Sequence, residues 1–208
     1  MATEEQLDAA LLDVRKAYRL IYLYQRRMLD LCSEIAGAFE SDLNVYQWSS
    51  SHYEAPPRRG TNPLSRSAWD FLPLYDFCVL YLPEGVHYQE HKPDDWMLAV
   101  RVAADSGYAQ VGSAEPDPRD FKGVASCEGT VKLYIYYCSQ AFEANWYHGV
   151  YNINDFPRDY GEGAFENGVR TFGMKFSLSE MGDAKAVESC VDRFRQALRE
   201  VFPARTEW

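Results

Sequence analysis

Residues 15–27, RKAYRLIYLYQRR, set five basic side chains and three tyrosines inside a chain whose formal net charge is −10. Guanidinium groups bind carboxylate or phosphate through forked hydrogen bonds, so such a cluster could hold an anion. At helical spacing Arg15, Arg19, Tyr22 and Arg26 share an arc of about 60°, with Tyr18 and Tyr22 adding apolar contact. Arg58 and Arg59, in the loop PPRRG, join this set if the chain folds back beside the helix. A second candidate is NWYHGVYNIND, residues 145–155, where Trp146, His148 and Tyr151 stand among Asn and Asp side chains. That mixture suits recognition loops, which combine aromatic bulk with adaptable hydrogen bonding. Each set also has a plainer role. The arginines can be the wet side of a structural helix, and the aromatics can be a lid over a sheet.

A different chemistry is written in HYQEH, residues 87–91, which has the pattern H-x-x-E-H. The pattern resembles the inverzincin metalloprotease signature. That resemblance implies His87 and His91 as zinc ligands, Glu90 as the base that activates water, and Glu162 or Glu166 as a third ligand, making a metal-dependent hydrolase. The signature needs a helix. Here Pro83 and Gly85 precede the stretch and Pro93 follows it, so the residues themselves predict a loop between two strands, bearing two histidines and no metal. Neither a GxSxG elbow, a phosphate-binding loop nor a dinucleotide fingerprint occurs, and no cofactor is expected.

The cysteines, at 32, 78, 127, 138 and 190, form no CxxC pair and sit in apolar or strand patterns. They predict buried structural thiols in a reducing, cytoplasmic setting. With 31 acidic against 21 basic residues the average surface repels nucleic acid and anionic lipid. No window has the roughly 18 consecutive apolar residues of a membrane span, and MATEEQLDAALLDV lacks the order of a signal peptide.

The elements that must position these residues follow from periodicity. Thr3 and Gln6 fit a capping box, and neither Gly nor Pro appears until Gly37. This predicts a helix over 4–39, with Val14, Ala17, Ile21, Tyr24, Met28, Leu31, Cys32, Ile35 and Phe39 on its core face. Residues 40–73 read as an irregular connection, with room for a short strand around NVYQW. Alternating or β-branched runs predict strands at 74–83, 96–104, 130–139 and 169–178, separated by long loops. An i, i+3, i+4 stripe from Val187 to Phe202 predicts a closing helix over 182–202, stopped by Pro203.

Strands that follow one another without helices favour an antiparallel sheet. The expected fold is a single α+β domain over 1–208, with at least four mostly antiparallel strands and a long helix at each end. Tyr134 and Tyr136 fall on the sheet face opposite Leu133 and Ile135, a face to be covered by a loop or a ligand. The functional expectation is a non-catalytic, cytoplasmic binding protein for a protein or small anionic partner, by analogy an immunity or defence accessory. A further expectation is a homo-oligomer through Tyr18, Tyr22, Leu23 and Leu29 of the long helix.

Overall fold

A computed structural model of the chain describes residues 3–50, 71–72, 74–108, 116–152, 160–164, 168–203, 205 and 208. It opens with α1, Glu4–Phe39. The Thr3 hydroxyl accepts from the Gln6 amide at 3.3 Å while the Gln6 side chain accepts from the Thr3 amide at 3.0 Å. This reciprocal cap satisfies two amides that the helix itself leaves unpaired. Glu4 and Glu5 in the first turn add favourable charge at the positive end of the helix.

Only the C-terminal part of α1 is packed. Met28, Leu31, Cys32, Ile35, Ala36 and Phe39 are buried, whereas every residue from Thr3 to Leu23 is exposed. The apolar stripe is therefore real, but its first half is not core: Val14, Ala17 and Ile21 face solvent. The reason is the length of the neighbour. The closing helix α2, Ala184–Val201, is half as long and runs beside α1 in the same direction. Arg27 donates to the Met181 carbonyl at 3.3 Å, just before α2 begins, and Arg195 donates to the Phe39 carbonyl. Nothing in α2 reaches back past the level of residue 27.

Six strands form one antiparallel sheet in the order β1-β2-β4-β5-β8-β7. They are β1 (Leu43–Ser50), β2 (Asp76–Pro83), β4 (Trp96–Ala103), β5 (Thr130–Cys138), β7 (Tyr160–Ala164) and β8 (Val169–Ser177). A separate two-stranded ladder joins β3 (Glu90–His91) to β6 (Phe142–Glu143). The expected strands at 74–83, 96–104, 130–139 and 169–178 are β2, β4, β5 and β8. The segment expected to be irregular holds β1, an edge strand whose register shifts between Val45 and Gln47. Such a bulge twists an edge and discourages further pairing.

The two faces of the sheet bury two different cores. On one, Phe77, Val79, Trp96, Leu98, Val100, Leu133, Ile135 and Phe172 pack under α1 and α2. On the other, Cys78, Leu80, Met97, Ala99, Tyr134, Tyr136 and Cys138 are covered by Trp146, Val150 and Tyr151. This division follows the pleat, since each step along a strand switches the face a side chain occupies.

Candidate functional site

The most exposed unusual surface is the N-terminal half of α1, an arm of about 30 Å at 1.5 Å rise per residue. It continues a helix that is already nucleated by packing against the body, so each further residue adds one hydrogen bond without a new nucleation cost. Its outer strip is Arg15, Arg19, Tyr22 and Arg26, all exposed. Among the described residues no carboxylate pairs with Arg15, Arg19 or Arg26, whereas Lys16 meets Asp13 at 3.0 Å and Arg27 meets Glu34 at 2.8 Å. The three arginines are exposed to solvent. Arg58 and Arg59 lie outside the described residues.

The arm is also rich in apolar side chains. Leu7, Leu11, Val14, Tyr18, Leu20, Tyr22 and Leu23 are between 44% and 73% exposed. Single exposed apolar residues are ordinary; here Leu7, Leu11, Val14 and Tyr18 share one side of the arm, and Leu20 and Leu23 lie on the other.

The loop candidate separates into buried and exposed parts. Residues Trp146–Tyr151 form one π-helical turn. The Asn145 side chain caps it, accepting from the Tyr147 and His148 amides at 2.9 and 3.0 Å and from the Tyr46 hydroxyl at 3.0 Å. Trp146 is fully buried and Tyr151 is 7% exposed, so both fill the second core and neither can touch a partner while the lid is seated. Burial pushes the Tyr151 hydroxyl well above its ordinary range, and it bonds the buried Cys78 thiol. His148 alone remains at the surface.

HYQEH does not form a helix. His87 lies in the loop before the strand, its Nδ1 accepting from the Gln89 and Glu90 amides at 3.2 and 3.0 Å, while Glu90 and His91 form β3. Consecutive strand residues point to opposite faces, so Glu90 is exposed and His91 is 3% exposed. The His91 ring lies between Phe142 and Trp146, with centroids 4.4 and 4.3 Å away, and its Nε2 donates to the Ala144 carbonyl. Burial lowers its pKa from the ordinary value of 6.5, which leaves a neutral imidazole with Nδ1 unpartnered among the described residues. No group of three His, Cys, Asp or Glu side chains that could hold a metal ion occurs among the described residues. Glu166 and the Glu162 side chain lie outside them.

Sequence reasoning missed a polar cleft of about 250 Å³ at one end of the second sheet face. Antiparallel register aligns Arg101, Lys132 and Lys175 across β4, β5 and β8 in one row. Asp76 receives Arg101 in a two-pronged bond, 2.9 Å to Nε and 2.8 Å to Nη2. Burial works against the Arg101 charge, and the Asp76 carboxylate more than offsets it, so the pKa is raised. Lys175 meets Glu128 at 3.4 Å. Three cations and the carboxylates Asp76, Asp105 and Glu128 line the cleft, so its charges largely cancel. Alternation in the sequence could flag each lysine; only register reveals the row.

Fold and surface together define an α+β protein with a projecting helical arm and no assembled catalytic group among the described residues. No helix among those residues is long and apolar enough to cross a membrane. The family profile described as PM0109 matches residues 4–201, and the chain belongs to this family. A protein of Pasteurella multocida (strain Pm70), described as uncharacterized protein PM0109, is 25% identical over 216 residues, spanning 95% of this chain and 98% of that one. No solved structure matches.

Proposed function

We propose that the protein is a non-catalytic binding protein whose working surface is the outer strip of the α1 arm, and that its partner carries anionic groups. The observation supporting this is that Arg15, Arg19 and Arg26 stand exposed and without carboxylate partners among the described residues, in a chain with an excess of acid elsewhere. Three exposed cations on a helix, with no carboxylate partner among the described residues, offer their donors to carboxylate or phosphate. Tyr22, within the same strip and 60% exposed, supplies a flat apolar contact between them.

The test is affinity capture with the wild-type chain and with Arg15→Glu, Arg19→Glu and Arg26→Glu combined. The substitutions lie outside the packed body, so the variant should unfold at the wild-type temperature. Loss of a partner that wild type retains, with weaker retention as salt rises, is the expected result. Equal recovery by both proteins removes the strip from the function.

A further inference from the structure

We infer that the inner face of the same arm is the seam of a homodimer, formed by two copies of α1 lying antiparallel and crossing near Val14. Its apolar seam is centred on a different side of the helix from the arginine strip, although the strip's charges contribute to the pairing.

Leu7, Val14, Ile21, Met28 and Ile35 recur at intervals of seven, and Ala10 and Ala17 stand three residues after the first two of them. A strict seven-residue apolar repeat keeps one seam facing a neighbouring helix over several turns, where an irregular amphipathic helix would drift. In the body this seam has its neighbours, since Met28 and Ile35 are buried in the core shared with α2. Past the start of α2 the seam continues with Ile21, Val14 and Leu7, and there its residues are 39%, 47% and 55% exposed. One chain supplies half of a helix pair and leaves the other half uncovered.

Residues 1–14 contain Glu4, Glu5, Asp8 and Asp13 and no Lys or Arg; residues 15–27 contain Arg15, Lys16, Arg19, Arg26 and Arg27 and no Asp or Glu. Two arms side by side in parallel set acid against acid and base against base. Laid antiparallel about Val14, the acidic half of each faces the basic half of the other. At the roughly 8–10 Å between packed helix axes these charges lie within about one Debye length at physiological salt, so the segments attract.

With Leu7, Leu11, Val14, Tyr18 and Ile21 exposed to between 39% and 73%, each arm offers on the order of 500 Å² of apolar surface, and a pair buries about 1,000 Å², the threshold for a specific interface. The arginine strip is centred about 110° around the helix from Val14 and borders this seam at Tyr18 and Tyr22.

Light scattering or sedimentation equilibrium on the full chain tests this. The expected mass is twice 23.9 kDa. Val14→Glu with Ile21→Glu should weaken association by about a hundredfold or more while the body keeps its unfolding temperature. Two further variants test direction: Glu4, Glu5, Asp8 and Asp13 changed to Lys, and Arg15, Lys16, Arg19 and Arg26 changed to Glu. Each alone should self-associate about tenfold or more weakly than wild type, and their equimolar mixture should restore the dimer. A wild-type chain that stays monomeric to about 100 µM overturns the inference. So does a dimer indifferent to Val14→Glu with Ile21→Glu, or charge-reversed variants that pair as well as wild type. A monomer that still loses its partner on reversal of the three strip arginines would overturn the dimer alone and leave the proposed binding role standing.

Discussion

Leu23 and Leu31 are the same residue type on the same helix, eight positions apart, and the fold assigns them opposite energetic weights. Leu31 is 1% exposed in the main core and Leu23 is 61% exposed on the arm. Leu31→Ala removes buried methyl groups and leaves a cavity beside Met28 and Ile35, so it should cost about 3 kcal/mol. For a chain of this size that lowers the melting temperature by about 10 °C. Leu23→Ala removes surface already in water and keeps a good helix former, so its effect should stay within about 0.5 kcal/mol. Thermal and urea unfolding of both variants, followed by far-ultraviolet circular dichroism and tryptophan fluorescence, reads the difference directly. Equal destabilisation by the two substitutions would refute the projecting arm, because it would mean that residues 4–23 are folded against the body.

Three further outcomes follow from buried polar groups and thiols. Asp76→Asn leaves the Arg101 guanidinium, whose side chain is only 13% exposed, without its carboxylate, and should cost about 3–5 kcal/mol in urea unfolding; replacing both partners, Asp76→Leu with Arg101→Met, should cost much less. His91 is held neutral, so its folded pKa lies below the 6.5 of the unfolded chain; its contribution to stability is complete above that value and is lost as pH falls through the lower folded pKa, a slope that His91→Gln should flatten in acid-side unfolding curves. Burial pushes the Cys32, Cys78 and Cys138 thiols up to about 12, while Cys127 is only partly buried; mass spectrometry after brief alkylation of the native protein should find Cys127 modified first, with the other thiols reacting only in denaturant.

Much of the architecture was legible along the chain. The capping box at Thr3 and Gln6 and the absence of Gly and Pro marked α1 from its first turn, because local hydrogen bonding and backbone freedom are properties of adjacent residues. The alternation of Val131, Leu133 and Ile135 with Tyr134 and Tyr136 assigned both faces of β5 for the same reason. β1 was only hinted at by NVYQW, since an edge strand only partly covered need not alternate strictly, and its burial is accordingly irregular. The ladder of β3 and β6 left no periodic trace, because two residues per strand are too few.

The candidate sites divide along the same line. HYQEH carried the right residue types for a metal site, but its flanking Pro and Gly already denied it the helix, and the strand at Glu90 and His91 sends their side chains to opposite faces. Trp146, His148 and Tyr151 looked equivalent as composition; only packing against Tyr136, Cys78 and Val169 separates the two buried rings from the exposed imidazole.

By itself the sequence determined where α1 starts, which side of it is apolar and which side carries Arg15, Arg19, Tyr22 and Arg26, because these depend on helical period and capping alone. Tertiary structure decided how much of that apolar side becomes core. Burial requires a facing surface, and α2 ends the cover near residue 27; beyond it the same stripe is left in water, and the same arginines have no carboxylate partner among the described residues. A stripe of Leu, Val and Ile cannot encode the length of its neighbour, and the neighbour's length turns half of a structural helix into an arm.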